Sequence, residues 1–210
     1  GEVDEARAAM AAAASGDALN ISAAQLSMAS GYPAWLVSRL LDELGPRLAA
    51  AMCACALDPA PVYVTRGRSD VSAESVLERL EQLEAEPLPT QLSEGWYLSS
   101  GARLAASGLV SSCDVAVADL SAQVVCRVAA PAAGRVLEVG QGRGTKSLLL
   151  CRAMGELGRE PCVVGCELVA SKVRQSRDRM KRAGLAGRVS CVEFDGTRLA
   201  DEGSLPDELA

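Results

Sequence analysis

The residues best suited to ligand chemistry lie in Arg135–Ser147, which reads R-V-L-E-V-G-Q-G-R-G-T-K-S. A short apolar run, Val136-Leu137 and Val139, carries Glu138 and opens into Gly140, Gly142 and Gly144. The apolar stretch Leu148-Leu149-Leu150 follows at once. This pattern predicts a buried strand, a glycine turn and the start of a helix. Glycines at alternate positions let the backbone take positive φ and approach a ligand closely. A helix start adds unpaired N–H groups and a positive dipole end.

Three ligand classes compete for such a loop. Gly140 to Ser147 nearly fits the phosphate-binding pattern G-x-x-x-x-G-K-[ST], with Lys146 and Ser147 in place, but Thr145 stands at the second glycine. The dinucleotide pattern G-x-G-x-x-G also needs glycine at 145. S-adenosylmethionine asks for an acid two residues before G-x-G-x-G and a second acid at the next strand end. Glu138-Val139-Gly140-Gln141-Gly142-Arg143-Gly144 meets the first demand and Glu167 the second. Asp195-Gly196 ends a third strand, where such folds hold the adenine edge. Ligands of open α/β sheets sit beyond the carboxyl ends of the strands, and these groups all fall there. S-adenosylmethionine is the favoured reading; another nucleotide and a purely structural loop stay open.

The elements that must position these residues fit 210 residues, room for one large or two small domains. Net charge is −6, which does not advertise nucleic-acid binding in bulk. Locally, Lys172, Arg174, Arg177, Arg179, Lys181, Arg182 and Arg188 stand against Asp178 alone. That run reads first as a solvated helix face and second as an RNA contact. Eight cysteines without C-x-x-C spacing, and no histidine, argue against zinc and against Ser-His catalysis. Most cysteines sit in apolar runs, where a buried thiol is expected. No apolar run approaches a membrane span, and a reduced cytoplasm is the expected home.

Along the chain, residues 1–57 read as helical, with breaks at Gly16-Asp17, Gly31-Tyr32-Pro33 and Gly45-Pro46. Trp35 or Leu36, Leu40, Leu41 and Leu44 make one stripe, with Trp35 as a core anchor. Residues 58–117 read as a small α+β domain. Strands are expected at Val62–Val64 and Trp96–Leu98, and a helix capped by Ser72 carries Val76, Leu80 and Leu83 on one face. Val110–Val117 is a strand or hairpin. Arg66 and Arg68 are candidate RNA contacts, and Trp96 and Tyr97 read equally as core or as base-stacking residues. Residues 118–210 alternate helix and strand. Helix 120–130 presents Val124, Val125 and Val128, Pro131–Gly134 returns the chain, and strand 136–139 opens the glycine loop. Helix 146–157, strand 162–167, helix 171–183 and strand 189–194 then give the parallel α/β order.

With these residues in hand, the chain resembles the Sun/Fmu family of RNA cytosine-5 methyltransferases, the ribosomal RNA methylase B-like group, from about Leu26 onward. Tyr32-Pro33-Ala34-Trp35-Leu36-Val37 is similar to the family's Y/H-P-x-W-L-x helix start. Pro59 to Thr65 is similar to its P-P-L-x-L-R-V-N strand, Ala118 to Gln123 to its Q-D-x-S-S-Q segment, and Val136 to Ser147 to V-L-D-L-C-A-A-P-G-G-K-T. Gly140, Gln141, Gly142 and Arg143 replace C-A-A-P, Thr145 replaces a glycine, and Ala118 a glutamine. The resemblance implies a class I (Rossmann-like) fold with S-adenosylmethionine as cofactor. The loop Gly140–Lys146 would hold the methionine part, Glu167 the ribose and Asp195 with Gly196 the adenine, and Lys172 matches a basic position after the ribose acid.

The family's chemistry places a cysteine on carbon 6 of cytosine, with a second cysteine aiding release. Those motifs lie on strands four and five, and the sequence ends at Ala210 before them. Pro161-Cys162 leads the second strand instead and reads as core. The expectation is therefore the first half of a class I α/β methyltransferase sheet, preceded by a small α+β domain and N-terminal helices, within a longer enzyme. The expected partner is RNA, ribosomal by family, with no metal and no membrane, and no catalytic residue is assigned to this chain. Its first strand would have an open edge inviting self-association. The alternative is a non-catalytic RNA-binding module with a vestigial cofactor loop.

Overall fold

A computed structural model describes residues 1–18, 20–101, 103–130, 134–200, 206 and 207. Most of the turn expected at Pro131–Gly134 lies outside the described residues. The chain forms two compact units, Gly1–Ala60 and Pro61–Ala210.

The first unit is all helical: α1 (Glu2–Ser15), α2 (Ala23–Ser30) and α3 (Ala34–Cys55). Gly16 and Gly31 close α1 and α2 in the left-handed conformation that glycine takes at little cost. Ser22 caps α2 by accepting from the Gln25 amide at 3.2 Å, and the Gln25 side chain accepts from the Ser22 amide in return. Gly45, at φ 75° and ψ 167°, kinks α3 ahead of Pro46, so the break read from Gly45-Pro46 is present within one long helix. The core is Met10, Ile21, Leu26, Val37 and Cys53 with packed alanines. Each large apolar side chain so buried contributes roughly 1.5–3 kcal/mol. Trp35 is not among them. It is 70% exposed while Val37 is fully buried, because the inward face of α3 runs through Val37, Leu40 and Leu41.

The second unit holds two sheets. The antiparallel one has strand order β2-β3-β1-β4, from β1 (Val62–Arg66), β2 (Pro87–Pro89), β3 (Gly95–Leu98) and β4 (Val115–Val117). Helix α4 (Ala73–Gln82), capped by Ser72, buries Val76 and Leu80 against it. Pro87 and Pro89 lie in β2, an edge strand, where a missing N–H costs little. Trp96 is buried in this core, which removes its stacking reading, and Tyr97 packs on Tyr63 at 5.7 Å between ring centroids.

The parallel sheet has order β5-β6-β7, from β5 (Val136–Val139), β6 (Val163–Glu167) and β7 (Val189–Glu193). Helices α6 (Thr145–Glu156) and α7 (Ala170–Arg182) connect the strands, while α5 (Leu120–Ala129) precedes β5. Val136, Val163 and Val189 stand in register and pack with Leu148, Leu149, Val173 and Met180 into one core. The strand of the glycine loop departs from the expected burial. Among the described residues β5 pairs with β6 alone, and on it Leu137 is 49% and Val139 57% exposed. The valines of α5 also face outward, Val128 at 80%, and Gln123 and Cys126 form its inner face. Gln123 tolerates burial because its side-chain amide donates to the Ala118 carbonyl at 2.9 Å.

Polar side chains join the two sheets. Arg152 of α6 is 3% exposed, and its Nη1 donates to Thr65 Oγ1 at 2.6 Å and to the Arg66 carbonyl at 2.7 Å. Arg66 is also buried and donates from Nε to Glu94 at 2.8 Å. Glu156 lies 3.2 Å from Arg152 and 3.5 Å from Arg66. Arg66 is thus a structural cation rather than the RNA contact its place beside a strand end suggested. Arg68 is held by Asp70.

Candidate functional site

The glycine loop sits at the carboxyl end of β5, where the sequence pattern put it. Gly140, Gly142 and Gly144 have φ of 73°, 61° and 77°. A side chain at Gly140 or Gly142 would meet no protein atom within 4 Å, so the outer face of the loop is open. Gly144 has a different task. A Cβ there would lie 2.5 Å from Ser176 Oγ, so its bareness lets the start of α6 lie against α7.

The loop amides separate the competing ligand classes. Gly140 and Gln141 both donate to the Cys166 carbonyl, at 2.9 and 3.0 Å, and Gly144 donates to the Gln141 carbonyl at 3.2 Å. Gly142 donates to Glu167 Oε2 at 2.9 Å. A phosphate cradle needs such N–H groups aimed at the ligand. Here the Gly140, Gln141 and Gly142 amides tie the loop to β6 and the Gly144 amide closes the loop on itself, and the Gly142 partner is the carboxylate of Glu167, a residue 7% exposed.

Glu167 is that carboxylate. Its Oε1 accepts from the Val169 amide at 3.0 Å and its Oε2 from Gly142. These two backbone bonds hold its pKa below the ordinary carboxylate value, and the nearby Lys172 charge adds to the effect. Each oxygen keeps a lone pair for a hydroxyl donor, such as a ribose diol. Asp195 ends β7 and caps the short 3₁₀ turn Gly196–Arg198, with Oδ1 accepting from the Thr197 amide at 3.0 Å and hydroxyl at 2.7 Å. These hydrogen bonds lower its pKa. Its Oδ2 has no partner among the described residues. A Cβ on Gly196 would lie 2.5 Å from Val139 Cγ1, so glycine there lets the chain after β7 cross back onto β5.

Other sequence-predicted residues lie beneath the loop. Glu138 Oε2 accepts from Ser147 Oγ at 2.5 Å, and Ser147 in turn accepts from Gln141 Nε2 at 2.8 Å. Burial raises the Glu138 pKa. The Gln141 side chain is 4% exposed and lies over Gly165, where a Cβ would come within 2.2 Å of its Cδ. Glu138 and Gln141 therefore fasten the loop and the helix start, and only the backbone of Gln141 is placed near the open face. Arg143, Lys146 and Lys172 are exposed, and the Thr145 hydroxyl accepts from Arg179. The sequence reading named Ser147 and Arg179 but not these contacts, and it missed Gly165. Gly165 gave the one usable signal, a glycine inside a strand, which marks close approach.

The basic run divides in the same way. Arg177 clamps the Cys191 carbonyl from Nε at 2.9 Å and Nη2 at 2.7 Å, and Arg188 pairs with Glu160, while Lys172, Arg174 and Lys181 face solvent. Cys162, half-buried, precedes β6 at the end of the sheet away from the loop. Burial pushes the thiol of Cys126 up to about 11 and that of Cys151 up to about 12, which suits packing rather than nucleophilic attack. Among the described residues no group of His, Cys, Asp or Glu could hold a metal ion, and no helix is long and apolar enough to cross a membrane.

Comparison with known proteins agrees with this geometry. The model of the family described as protein-L-isoaspartate(D-aspartate) O-methyltransferase (PCMT) matches residues 68–204. No curated protein matches the chain. Similar solved structures include PH0851, with TM-score 0.71 and 16% identity over 85% of this chain and 40% of that one. A methyltransferase homolog protein from Pyrococcus horikoshii has TM-score 0.70 and 15% identity over 87% of this chain and 59% of that one. NSun6 from the same organism, solved with the S-adenosylmethionine analogue SFG, has TM-score 0.70 and 13% identity over 83% of this chain and 68% of that one. The chain thus spans about half the length of the first two. S-adenosylmethionine is the cofactor that family and fold share. The chain therefore belongs to the protein-L-isoaspartate(D-aspartate) O-methyltransferase (PCMT) family, and its class I methyltransferase fold is that of the Sun/NSun6-type enzymes that its sequence resembles.

Proposed function

We propose that this chain is the cofactor-binding half of an S-adenosylmethionine-dependent methyltransferase that forms 5-methylcytosine in RNA, with ribosomal RNA as the expected species. The observation that carries the cofactor assignment is the Glu167 carboxylate, latched to Gly142 and Val169 and presented beside an open glycine loop. The loop from Gly140 to Lys146 would lie along the methionine part. Glu167, with Lys172 nearby, would take the ribose hydroxyls, and Asp195 with Gly196 would take the adenine edge. Glu138 would hold the loop from beneath through Ser147. When bound, the cofactor supplies an electrophilic methyl group. Residues 118–210 would carry that site, residues 58–117 would handle RNA, and residues 1–57 would form a separate helical domain. The cytoplasm is the expected compartment.

RNA as substrate rests on the motifs shared with the Sun/Fmu group and on the likeness to NSun6. Of the cysteines in the second unit, five are buried and half-buried Cys162 lies at the end of the sheet away from the loop, so these residues alone are expected to transfer no methyl group. The open edge of β5, with Leu137 and Val139 exposed, would support self-association. A sedimentation coefficient unchanged between low and high micromolar concentration would rule that out.

A second reading comes from the matched family model, whose description names transfer to an isoaspartyl carboxylate. That reaction needs no covalent nucleophile, only a positioned carboxylate, so the two readings differ in product. Labelled cofactor, unmodified ribosomal RNA and an isoaspartyl peptide separate them when supplied to the 210-residue chain and to the protein extended by whatever sequence follows it. The proposal expects label in 5-methylcytidine from the extended protein alone. A base-labile ester on the peptide would establish the second reading. Label from neither, in a protein that still binds RNA, would favour a non-catalytic RNA-binding module with a vestigial loop.

A further inference from the structure

A cavity of about 440 Å³ lies in the second unit, lined by Val62, Leu104, Val110 and Val117, with Arg179 and Arg182 of α7 completing its wall. The size is that of a small-molecule site. Each guanidinium is steadied by a neutral acceptor. Arg182 Nε donates to the Ser111 carbonyl at 2.8 Å, and Arg179 donates to Thr145 Oγ1. Arg143 of the glycine loop is close enough for its charge to act on Arg179, as the charge of Arg182 does. Burial beside these two cations holds the Arg179 pKa below the usual arginine value. Among the described residues none of the three arginines makes an ion pair with a carboxylate. Like charges gathered without a counter-charge raise the free energy of the folded protein, and an anion placed among them relieves it.

We propose that this is a nucleotide subsite for a single RNA strand, with a backbone phosphate against Arg179 and Arg182 and its base in the apolar cavity. The inference rests on the RNA reading above. Two features favour RNA over an acidic peptide. The guanidinium fork matches phosphate oxygens in pairs, and the neighbouring apolar space gives a flat ring somewhere to bury, which an aspartate or glutamate side chain would leave empty. The subsite also gives Thr145 a role. At the position where the family it resembles has glycine, its hydroxyl is the acceptor that aims Arg179. Thr145 is then a positioning residue linking the cofactor loop to the substrate.

Fluorescence anisotropy with a labelled single-stranded oligoribonucleotide of about 12 nucleotides tests this across a salt series, on the wild-type chain and on Arg182→Ala, Arg182→Lys and Ala105→Phe. Thermal melts confirm that each variant is folded. Arg182→Ala is expected to weaken binding about tenfold and to make the log–log salt slope shallower by about 0.7, the loss of one phosphate contact to a single strand. Arg182→Lys should fall between. Ala105 also lines the cavity, and Ala105→Phe, which fills it, should weaken binding with the slope unchanged. An unlabelled acidic peptide of equal charge should fail to compete. Wild-type affinity in Arg182→Ala or Ala105→Phe, or an acidic peptide competing as well as RNA, would overturn the subsite. S-adenosylmethionine binding by the wild-type chain is measured separately. Cofactor binding without RNA binding sinks the subsite and leaves the cofactor assignment; the variant pattern without cofactor binding does the reverse.

Discussion

At the scale of single residues, the site is held by a few groups whose partners fix what they do. Glu167 is ionised to lower pH in the folded protein than in the unfolded chain, because two backbone amides donate to it. Its contribution to stability is thus fully present above the unfolded value, about 4.3, and is lost as pH falls through the lower folded value. Urea unfolding of the wild type and Glu167→Gln from pH 6 down to pH 3 should show a wild-type advantage that closes only below about pH 4.3. An advantage constant to pH 3 would mean the latch is not ionic. Glu138 runs the other way. Burial raises its pKa, so its ionised form costs stability as pH rises through the window above the ordinary carboxylate value. Gly140 separates fold from ligand, since φ is 73° and no protein atom would meet an added methyl. Gly140→Ala should cost about 1–2 kcal/mol from the left-handed backbone alone. It should weaken S-adenosylmethionine binding more than tenfold, because the methyl occupies the approach to the loop. A variant with lowered melting temperature and wild-type cofactor affinity would show that the ligand does not cross this face.

At the scale of elements, the buried arginines make the two sheets of the second unit one object. Arg152 reaches from α6 to the backbone and hydroxyl of β1, and Glu94 and Glu156 neutralise it with Arg66. Removing one partner of such a network leaves buried charge uncompensated. Arg152→Ala should therefore destabilise by about 3–5 kcal/mol, read as a shift of the urea midpoint at unchanged slope, and a loss under about 1 kcal/mol would mean the pairs are solvent-screened. Local chemistry made the frame legible. Ser72 announced a helix start, Gly16 and Gly31 announced breaks, and alternating helix and strand periods gave the parallel order. What the sequence did not reveal was which side each element buries. Trp35 looks like an anchor and is exposed, Val128 looks like a packing face and points outward, and the strand Val136–Val139 reads as buried yet leaves Leu137 and Val139 about half-exposed. Each depends on which neighbour covers the element, a tertiary fact that periodicity does not encode. The site divides similarly. Glu167 and Asp195 were legible as acids at strand ends, whereas the roles of Ser147, Gln141 and Arg179 depend on contacts between segments.

At the scale of the whole molecule, a three-stranded parallel sheet carries two helices packed on one face and a glycine loop at its carboxyl ends. Parallel sheets are ordinarily covered on both faces, and the exposed Leu137 and Val139 mark where this one is not. The solved structures it resembles are longer chains, and NSun6 is one of them. In the proposed site the cofactor would lie at one locus, across the open glycine loop with the ribose on Glu167. Calorimetric titration of S-adenosylmethionine into the wild-type chain and into Glu167→Ala tests this most directly. Saturable one-to-one binding is expected for the wild type, weakened at least tenfold in a still-folded Glu167→Ala by loss of charge-assisted hydrogen bonds worth about 1.5–3 kcal/mol. No binding by the folded wild type, or equal affinity in the two proteins, would contradict it.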